Sequence, residues 1–285
     1  MIVLIVLLMF CSVSLLPEPP DYYSPDSVLL FADHLFREQD YLRAAYEYER
    51  YGYLQGENDP TAREILLRAG KAFQCAGEYE RSLDLFAGLL ETVDTDPVRE
   101  LAIHEIGLTY FRMSRYRESL MFLQSHPAAS LIPGSALLIG ADLMMQGQWQ
   151  QAEEAFDGYG VPATEPLRNV AREGSTMRRK SPLASALLST VLPGAGKIYA
   201  GEYGDGIHSL VFIGLLGTFS VISFHAEGID SVRGWIYASV GGVLHAGNIY
   251  GSIVSARRYN RLREEVLFQE VQEGIPTCSE YSLEP

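Results

Sequence analysis

An internal repeat in the first half of the chain constrains the fold more than any other feature of the sequence. Its period is about 36 residues, and it is marked by four aromatic anchors: Tyr41, Tyr79, Tyr116 and Trp149. Nine residues before each anchor stands a small residue: Ala32, Gly70, Gly107 and Gly140. Three residues after each anchor stands another small residue: Ala44, Ser82, Ser119 and Ala152. Seven residues after each anchor stands a large apolar or aromatic residue: Tyr48, Phe86, Leu123 and Phe156.

Each repeat is predicted to be a pair of antiparallel helices. Apolar residues recur every three or four positions within a unit, as in Ile65, Ala69 and Phe73, which is the period of an α-helix. Two antiparallel helices pack closely only where one presents a small residue to the other, so the small positions are predicted contact points. The sequence therefore predicts an all-α fold in which about four helical hairpins stack as a repeat solenoid.

Residues 25–158 resemble the tetratricopeptide family, whose units carry a small residue in the first helix and an aromatic at the turn. Two spacings exceed that family's period, so the loops at 56–59 and 94–96 are expected to be longer, and Pro127 and Pro133 separate the last two units. The resemblance implies a concave groove that binds a peptide or protein partner. The candidate groove residues are polar side chains of the first helices: Asp33, Arg37, Arg68, Gln74, His104, Arg112 and Asp142.

The first twenty residues contain an uncharged apolar run that ends at Leu16 and is followed by a Pro-rich stretch. Its length is typical of a secretory signal peptide, but it lacks the usual basic residues, so an uncleaved N-terminal anchor is the alternative. Residues 17–160 carry 24 acidic and 11 basic side chains, whereas residues 161–285 carry 12 and 11. Because an acidic surface repels phosphate backbones, no nucleic-acid partner is expected.

The three cysteines, Cys11, Cys75 and Cys278, are too scattered to predict a disulfide framework or a metal site. Cys75 is interpreted as a small residue that packs between helices. We find no grouping of nucleophile, base or metal ligands in the sequence, so we expect no enzyme activity, no metal and no cofactor.

A second, membrane-directed region follows a predicted linker at residues 159–181 and is itself followed by a polar tail at residues 264–285. It contains three uncharged stretches: 181–196, 206–226 and 234–256. A bilayer core of roughly 30 Å requires about 20 helical residues, so the last two stretches are each long enough to span it. The sequence therefore predicts a C-terminal transmembrane helical hairpin with a short helix before it.

A turn rich in Pro and Gly precedes the hairpin and is formed by Pro193, Gly194, Gly196, Tyr199 and Gly201. It includes a Gly-Lys pair, but a phosphate loop also needs an upstream Gly and a following Ser or Thr, which this turn lacks. With its flanks, at residues 181–263, the turn resembles a small bacterial membrane domain with a P-G-x-G-x-x-Y-x-G motif, similar to the two-transmembrane (TM-two-like) proteins. That resemblance implies membrane location and architecture rather than an activity.

Within the second predicted span, Gly247, Gly251 and Ser255 recur every four residues and form a small-residue face typical of close helix packing in membranes. The same face is expected to support association with other membrane helices. His245 and Asn248 lie on a neighbouring face of the span. Hydrogen bonding between helices is their expected role, and a polar relay or ligand contact is the alternative.

The side of the membrane on which the repeats lie is predicted from two opposing signals. Basic residues flank the hairpin at 178–180 and 257–263, which places both flanks in the cytoplasm by the positive-inside rule. The export-like start of the chain instead places the repeats outside, and a membrane crossing by residues 181–201 would reconcile the two. We favour a bacterial inner-membrane protein whose repeats face the periplasm.

Repeats and membrane hairpin together predict a membrane-anchored scaffold or adaptor of the bacterial envelope that binds a protein or peptide through the repeat groove. Its second partner is the lipid bilayer. The alternative function is a component of a membrane transport or channel assembly that uses His245 and Asn248.

Overall fold

The computed structural model describes residues 21, 23–56, 59–91, 97–126, 132–160 and 164–278. Its regular elements are thirteen α-helices, and no strand occurs in these described residues, which confirms the predicted all-α class. The predicted signal peptide or anchor at residues 1–20, the predicted loop at 94–96 and the last residues of the predicted tail lie outside the described ranges.

The chain divides into two compact units. The first is Met1–Asp142 with Pro276–Pro285, and the second is Leu143–Ile275. Eight helices belong to the repeat region: α1 (Pro25–Arg37), α2 (Tyr41–Gln55), α3 (Pro60–Ala76), α4 (Tyr79–Leu90), α5 (Pro97–Arg112), α6 (Tyr116–Ser125), α7 (Pro133–Met145) and α8 (Trp149–Tyr159). Five helices follow: α9 (Glu165–Thr176), α10 (Pro182–Val191), α11 (Ala195–Ala200), α12 (Tyr203–Glu227) and α13 (Val232–Glu273).

The repeat pattern sets where the helices begin. Each second helix, α2, α4, α6 and α8, starts at its aromatic anchor, and consecutive helices from α1 to α6 pack on one another. In the second and third units, the small residue nine positions before the anchor packs against the large residue seven positions after it. A Cβ at Gly107 would lie 2.7 Å from Leu123 Cδ2, and one at Gly70 would collide with the ring of Phe86. The architecture is therefore helical and repeat-like, with the small and large positions contacting each other inside each of these hairpins.

The structure adds a fifth recurring position, two residues before each anchor. The backbone there is left-handed, with φ of 62° at Gln39, 82° at Gly77, 59° at Ser114 and 74° at Gly147. The next residue donates its N–H to a carbonyl five positions earlier, as from Glu78 to Phe73, which ends the first helix with a Schellman motif.

The predicted linker and part of the predicted tail are helical instead. Residues 165–176 of the linker form α9, and residues 264–273 of the tail continue α13. The tail residues 264–273 are helical because they carry an apolar stripe that is buried. Leu267 and Val271 lie one turn apart and are 2% and 0% exposed. Phe268, on the same helix, stacks on Trp149 with a centroid distance of 5.5 Å.

Of the described helices, α12 alone is long and apolar enough to cross a membrane by length and composition, with 25 residues and a mean hydropathy of 1.9. The second predicted span is the first half of the 42-residue α13, where frequent Gly and Ser, with His245 and Asn248, lower the hydropathy. The crossing proposed for residues 181–201 is wrong. The structure divides it into α10 and α11, and the ten residues of α10 extend only about 15 Å, half of a bilayer core.

Candidate partner-binding face and membrane element

The polar side of the first helices in the first unit is the candidate partner-binding site, and we call it the repeat face. Its partly exposed members are Asp33, Arg68, Lys71, Cys75, His104 and Arg112, and the buried Gln74, Glu105 and Thr109 support them. These residues come from α1, α3 and α5 and recur three or four positions apart on α3 and α5, so each set lies on one side of its helix.

Asp33 joins α1 to the rest of the repeat face. Its carboxylate accepts a hydrogen bond of 2.8 Å from the Tyr48 hydroxyl and pairs with Arg68 at 3.6 Å. Burial, followed by the Asp33 hydrogen bond and charge, raises the pKa of Tyr48, so this hydroxyl stays protonated and remains a donor. Asp33 is therefore held in place by its neighbours.

Buried polar contacts connect α3 with α5. Lys71 Nζ lies 3.2 Å from Glu105 Oε1, and the Glu105 side chain is 3% exposed. The Gln74 amide donates to Thr109 Oγ1 at 2.8 Å, and Thr109 donates to the Glu105 carbonyl at 2.7 Å. Because buried polar groups are costly unless bonded, these contacts fix the two helices in one register.

His104 contacts the next first helix, since its Nδ1 lies 3.1 Å from Ser135 Oγ on α7. Desolvation lowers the pKa of His104, Lys71 and Arg112 lower it further, and Glu105 acts in the opposite direction. The imidazole is thus mainly neutral at pH 7 and serves as a hydrogen-bonding group between helices.

Arg112 is the centre of the repeat face. Its Nη1 donates to Gln74 Oε1 at 2.6 Å and to Cys278 Sγ at 3.1 Å, and its Nη2 donates to the Pro276 carbonyl at 3.1 Å. Cys278 forms a disulfide with Cys75 on α3, with the two Cα atoms 5.7 Å apart. Residues 276–278, which we call the tail segment, therefore lie on the repeat face.

The disulfide corrects the interpretation of Cys75 as a packing residue. The two cysteines are 203 positions apart in the sequence, and no local pattern connects them. Lys71, Glu105 and Thr109 were also not predicted. Lys71 lies three residues before Gln74, Thr109 lies three before Arg112, and Glu105 lies four before Thr109, and this spacing is a signal that identifies them as members of the same helix faces.

Two of the predicted groove residues do not belong to this face. Asp142 is completely buried, and burial raises its pKa to about 8 although a Ser119 hydrogen bond acts in the opposite direction. Asp142 is therefore a core residue of the first unit, and its prediction as a groove residue was wrong. Arg37 lines a separate cleft of about 790 Å³ together with Phe31, His34 and Arg50.

Two glycines of the Pro-Gly turn in the second unit lie where a side chain would not fit. Gly194 has a φ of 84°, and a Cβ there would overlap the carbonyl oxygen of Gly206. A Cβ at Gly196 would overlap the carbonyl oxygen of Ser185. Larger residues at these positions would push α11 away from α10 and α12, so the turn motif is a packing motif.

The other motif residues and two serines fasten the turn. Tyr199 Oη accepts the Ser181 N–H at 3.1 Å, which returns α11 to the start of α10. The Ser185 hydroxyl donates to the Ser252 carbonyl at 2.7 Å, which attaches α10 to α13. Gly201 ends α11 with a φ of 96°. Helices α10 and α11 therefore form a short out-and-back element against α13.

The buried small and polar residues of α13 differ in part from the predicted packing face, and Gly234 and Gly241 among them lie against Phe224 and Leu216 of α12. The buried positions recur every seven residues of α13: Gly234, Gly241, Asn248 and Ser255. Ser220 of α12 donates to the Gly234 carbonyl at 3.0 Å. A Cβ at Gly247 would contact nothing within 4 Å and one at Gly251 would lie 3.4 Å from Lys197 Cε on α11, so these two residues of the predicted face are not contacts with α12. A seven-residue period follows one face of a long helix more closely than a four-residue period.

The polar residues of the second predicted span occupy different environments. Asn248 is 5% exposed, and neither its amide oxygen nor its amide nitrogen has a hydrogen-bond partner among the described residues. His245 is half-buried, and its Nδ1 is likewise without a partner there. The hydrogen bonding between helices expected for Asn248 is thus not found in the described part of the chain.

The outer surface of α12 is apolar. Only 6% of its most apolar window is buried, and its exposed large side chains are Tyr203, Ile207, Val211, Phe212, Leu215, Phe219, Val221 and Ile222. At one end of the hairpin, Lys180 Nζ lies 4.8 Å from the Tyr199 ring centroid and 5.5 Å from that of Tyr259. An apolar surface next to tyrosines and a cation is typical of a helix at a membrane interface.

No model of a known protein family matches the chain, and no curated protein matches it. The resemblances to tetratricopeptide repeats and to the Pro-Gly-turn membrane domain therefore remain predictions that rest on the residues named above. Two structural observations agree with these predictions. A helix starts at each of the four anchors, and the glycines of the Pro-Gly turn are closely packed.

Proposed function

We propose that this protein is a membrane-anchored adaptor of the bacterial envelope whose repeat face binds an extended segment of a partner protein. In this proposal the helical hairpins stack as a solenoid and the first helices line its binding groove. The role is one of binding, without catalysis. The observation that supports it most is the hydrogen bond from Arg112 to the main-chain carbonyl of Pro276 in the tail segment. Every peptide has main-chain carbonyl groups that could accept the same bond.

The proposed anchor is the hairpin of α12 and the first half of α13. Its support is the length and apolar surface of α12 and the seven-residue stripe of small residues on α13. Small residues allow close helix approach in lipid, where the hydrophobic effect does not drive helices together.

We propose that the repeats lie in the periplasm. Disulfides persist in oxidising compartments and are rare in the cytosol, and Cys75 and Cys278 form one. Two crossings, by α12 and by the first half of α13, would return the chain to the same side. The basic flanks oppose this choice, but Arg179 pairs with Glu264 at 2.6 Å and Arg263 with Glu173 at 3.0 Å, which reduces their net charge.

A pull-down from solubilised native membranes tests the proposal. The variant Arg68→Ala changes a partly exposed charged position of the repeat face, and Arg117→Ala changes an exposed residue of α6. We expect Arg68→Ala to lose its captured partner at an unchanged membrane level, and Arg117→Ala to keep it. Equal capture by both variants would contradict the binding role of the repeat face.

The alternative, a component of a transport or channel assembly, is favoured by one observation. Asn248 has both amide atoms buried without a partner among the described residues, and polar groups inside membrane domains often contact a transported solute.

A further inference from the structure

We propose that the tail segment is a built-in occupant of the repeat face, locked there by the Cys75–Cys278 disulfide, and that reduction of this disulfide opens the face to a partner. This inference rests on the proposed function of the repeat face and adds its regulation. The partner chemistry that follows is an extended peptide that presents a main-chain carbonyl to Arg112, as the tail segment does.

The tail segment is held at two points on two different helices. The disulfide attaches it to α3, and Arg112 of α5 bonds both Cys278 Sγ and the Pro276 carbonyl. Arg112 is in turn oriented by Gln74, the neighbour of Cys75 on α3. The tail segment thus uses the two side chains at the centre of the repeat face, so a partner peptide that needs Arg112 must displace it.

The disulfide makes that displacement unfavourable. A tethered segment has an effective concentration in about the millimolar range, and a covalent bond prevents it from leaving at all. A free peptide therefore competes poorly while the bond is intact. Once the bond opens, only the hydrogen bonds of Arg112 to the tail segment remain of the contacts described above, so the segment can leave the face and a free peptide can compete with it.

The redox step requires a dithiol reductant. One of its thiolates attacks the sulfur of Cys75, the bond to Cys278 breaks, and Cys278 leaves as a thiolate. The second thiol of the reductant then displaces Cys75, so the protein gains two electrons and two protons as two thiols and the reductant becomes a disulfide. The Arg112 guanidinium, 3.1 Å from Cys278 Sγ, stabilises the departing thiolate. Both cysteines are half-buried, so a small dithiol can reach them.

A peptide-binding titration of the full-length protein in detergent micelles tests the proposal. The probe is a fluorescein-labelled synthetic peptide with the sequence of residues 272–283 and Ser in place of Cys278. Its anisotropy is measured with the oxidised protein, the protein reduced with dithiothreitol, Cys278→Ser, and Cys278→Ser combined with Arg112→Ala. Cys278→Ser combined with Arg117→Ala is the matched control, since Arg117 is exposed on α6.

We expect the reduced protein and Cys278→Ser to bind the peptide at least tenfold more tightly than the oxidised protein. Addition of Arg112→Ala should weaken binding at least fivefold, and addition of Arg117→Ala should leave it unchanged. Equal binding by the oxidised and reduced proteins would overturn the proposal that the disulfide holds the tail segment on the repeat face against a partner. It would leave the repeat face as a peptide-binding site. Absence of binding to the reduced protein and to Cys278→Ser would overturn both.

Discussion

The left-handed position before each anchor yields a stability prediction with an internal comparison. Two of the four turns have Gly there, at Gly77 and Gly147, whereas Gln39 and Ser114 adopt the same conformation with a side chain. A left-handed residue with a Cβ costs about 1–2 kcal/mol. Glycine removes that cost but adds about 0.5–1 kcal/mol of entropy to the unfolded chain. We therefore expect Ser114→Gly to stabilise the fold by about 0.5–1 kcal/mol.

The assay is thermal unfolding of the full-length protein in detergent micelles, followed by circular dichroism. For chains of this size class about 1 kcal/mol corresponds to about 2–4 °C, so Ser114→Gly should raise Tm by about 1–4 °C. Ser114→Ala is the matched control, because it shortens the side chain without freeing the backbone. The combination Gln39→Gly/Ser114→Gly should give about twice the gain, because the two turns belong to different hairpins. If Ser114→Gly is no more stable than Ser114→Ala, the left-handed turn is not a source of strain.

Three further predictions concern other parts of the chain. Gly194→Ala should abolish accumulation of the protein in membranes because its Cβ overlaps the Gly206 carbonyl, whereas Gly204→Ala, with open space around its Cβ, should accumulate normally on immunoblots of membrane fractions. Because burial raises the pKa of Asp142 from 3.8 to about 8, the folded state is penalised increasingly as the pH rises from 4 to 8. Asp142→Asn should remove this pH dependence of the folding free energy, which is at most about 1.4 kcal/mol per pH unit. The measurement is the Tm of both proteins across this pH range. The same pH dependence of Tm in both would contradict the prediction. Asn248→Leu should stabilise the protein by about 1–3 kcal/mol and leave partner capture unchanged; loss of cellular function at an unchanged protein level would instead favour the transport alternative.

The sequence predicts the helical hairpins well because their signals are local. An aromatic at the start of each second helix and a small residue opposite a large one recur within about 20 residues of each other. The structure accordingly starts helices at Tyr41, Tyr79 and Tyr116. The left-handed position escaped prediction because Gln39 and Ser114 are not turn glycines, and only the backbone reveals that they share a conformation with Gly77.

The candidate site was predicted less completely because its key contacts are distant in sequence. Gln74 and Arg112 are on the predicted list and contact each other, but their shared occupant comes from residues 276–278. The sequence predicts Asp142 as a groove residue because it is polar and lies on a first helix, whereas tertiary packing buries it. The absence of charge predicts residues 234–256 as a span, but it does not show that the buried face of α13 is built from glycine, serine and asparagine, which lower the hydropathy.

Site-specific photocrosslinking in native membranes tests the central claim, that the repeat face of a membrane-anchored chain binds a partner, most directly. A photoreactive phenylalanine analogue is placed at Arg68 on the repeat face, or at the exposed Glu80 on a second helix as control, and products are identified by mass spectrometry. The account predicts that the Arg68 position, in the membrane fraction, captures a distinct partner polypeptide that the Glu80 position does not. Identical products from the two positions, or recovery of the protein only in the soluble fraction, would contradict it.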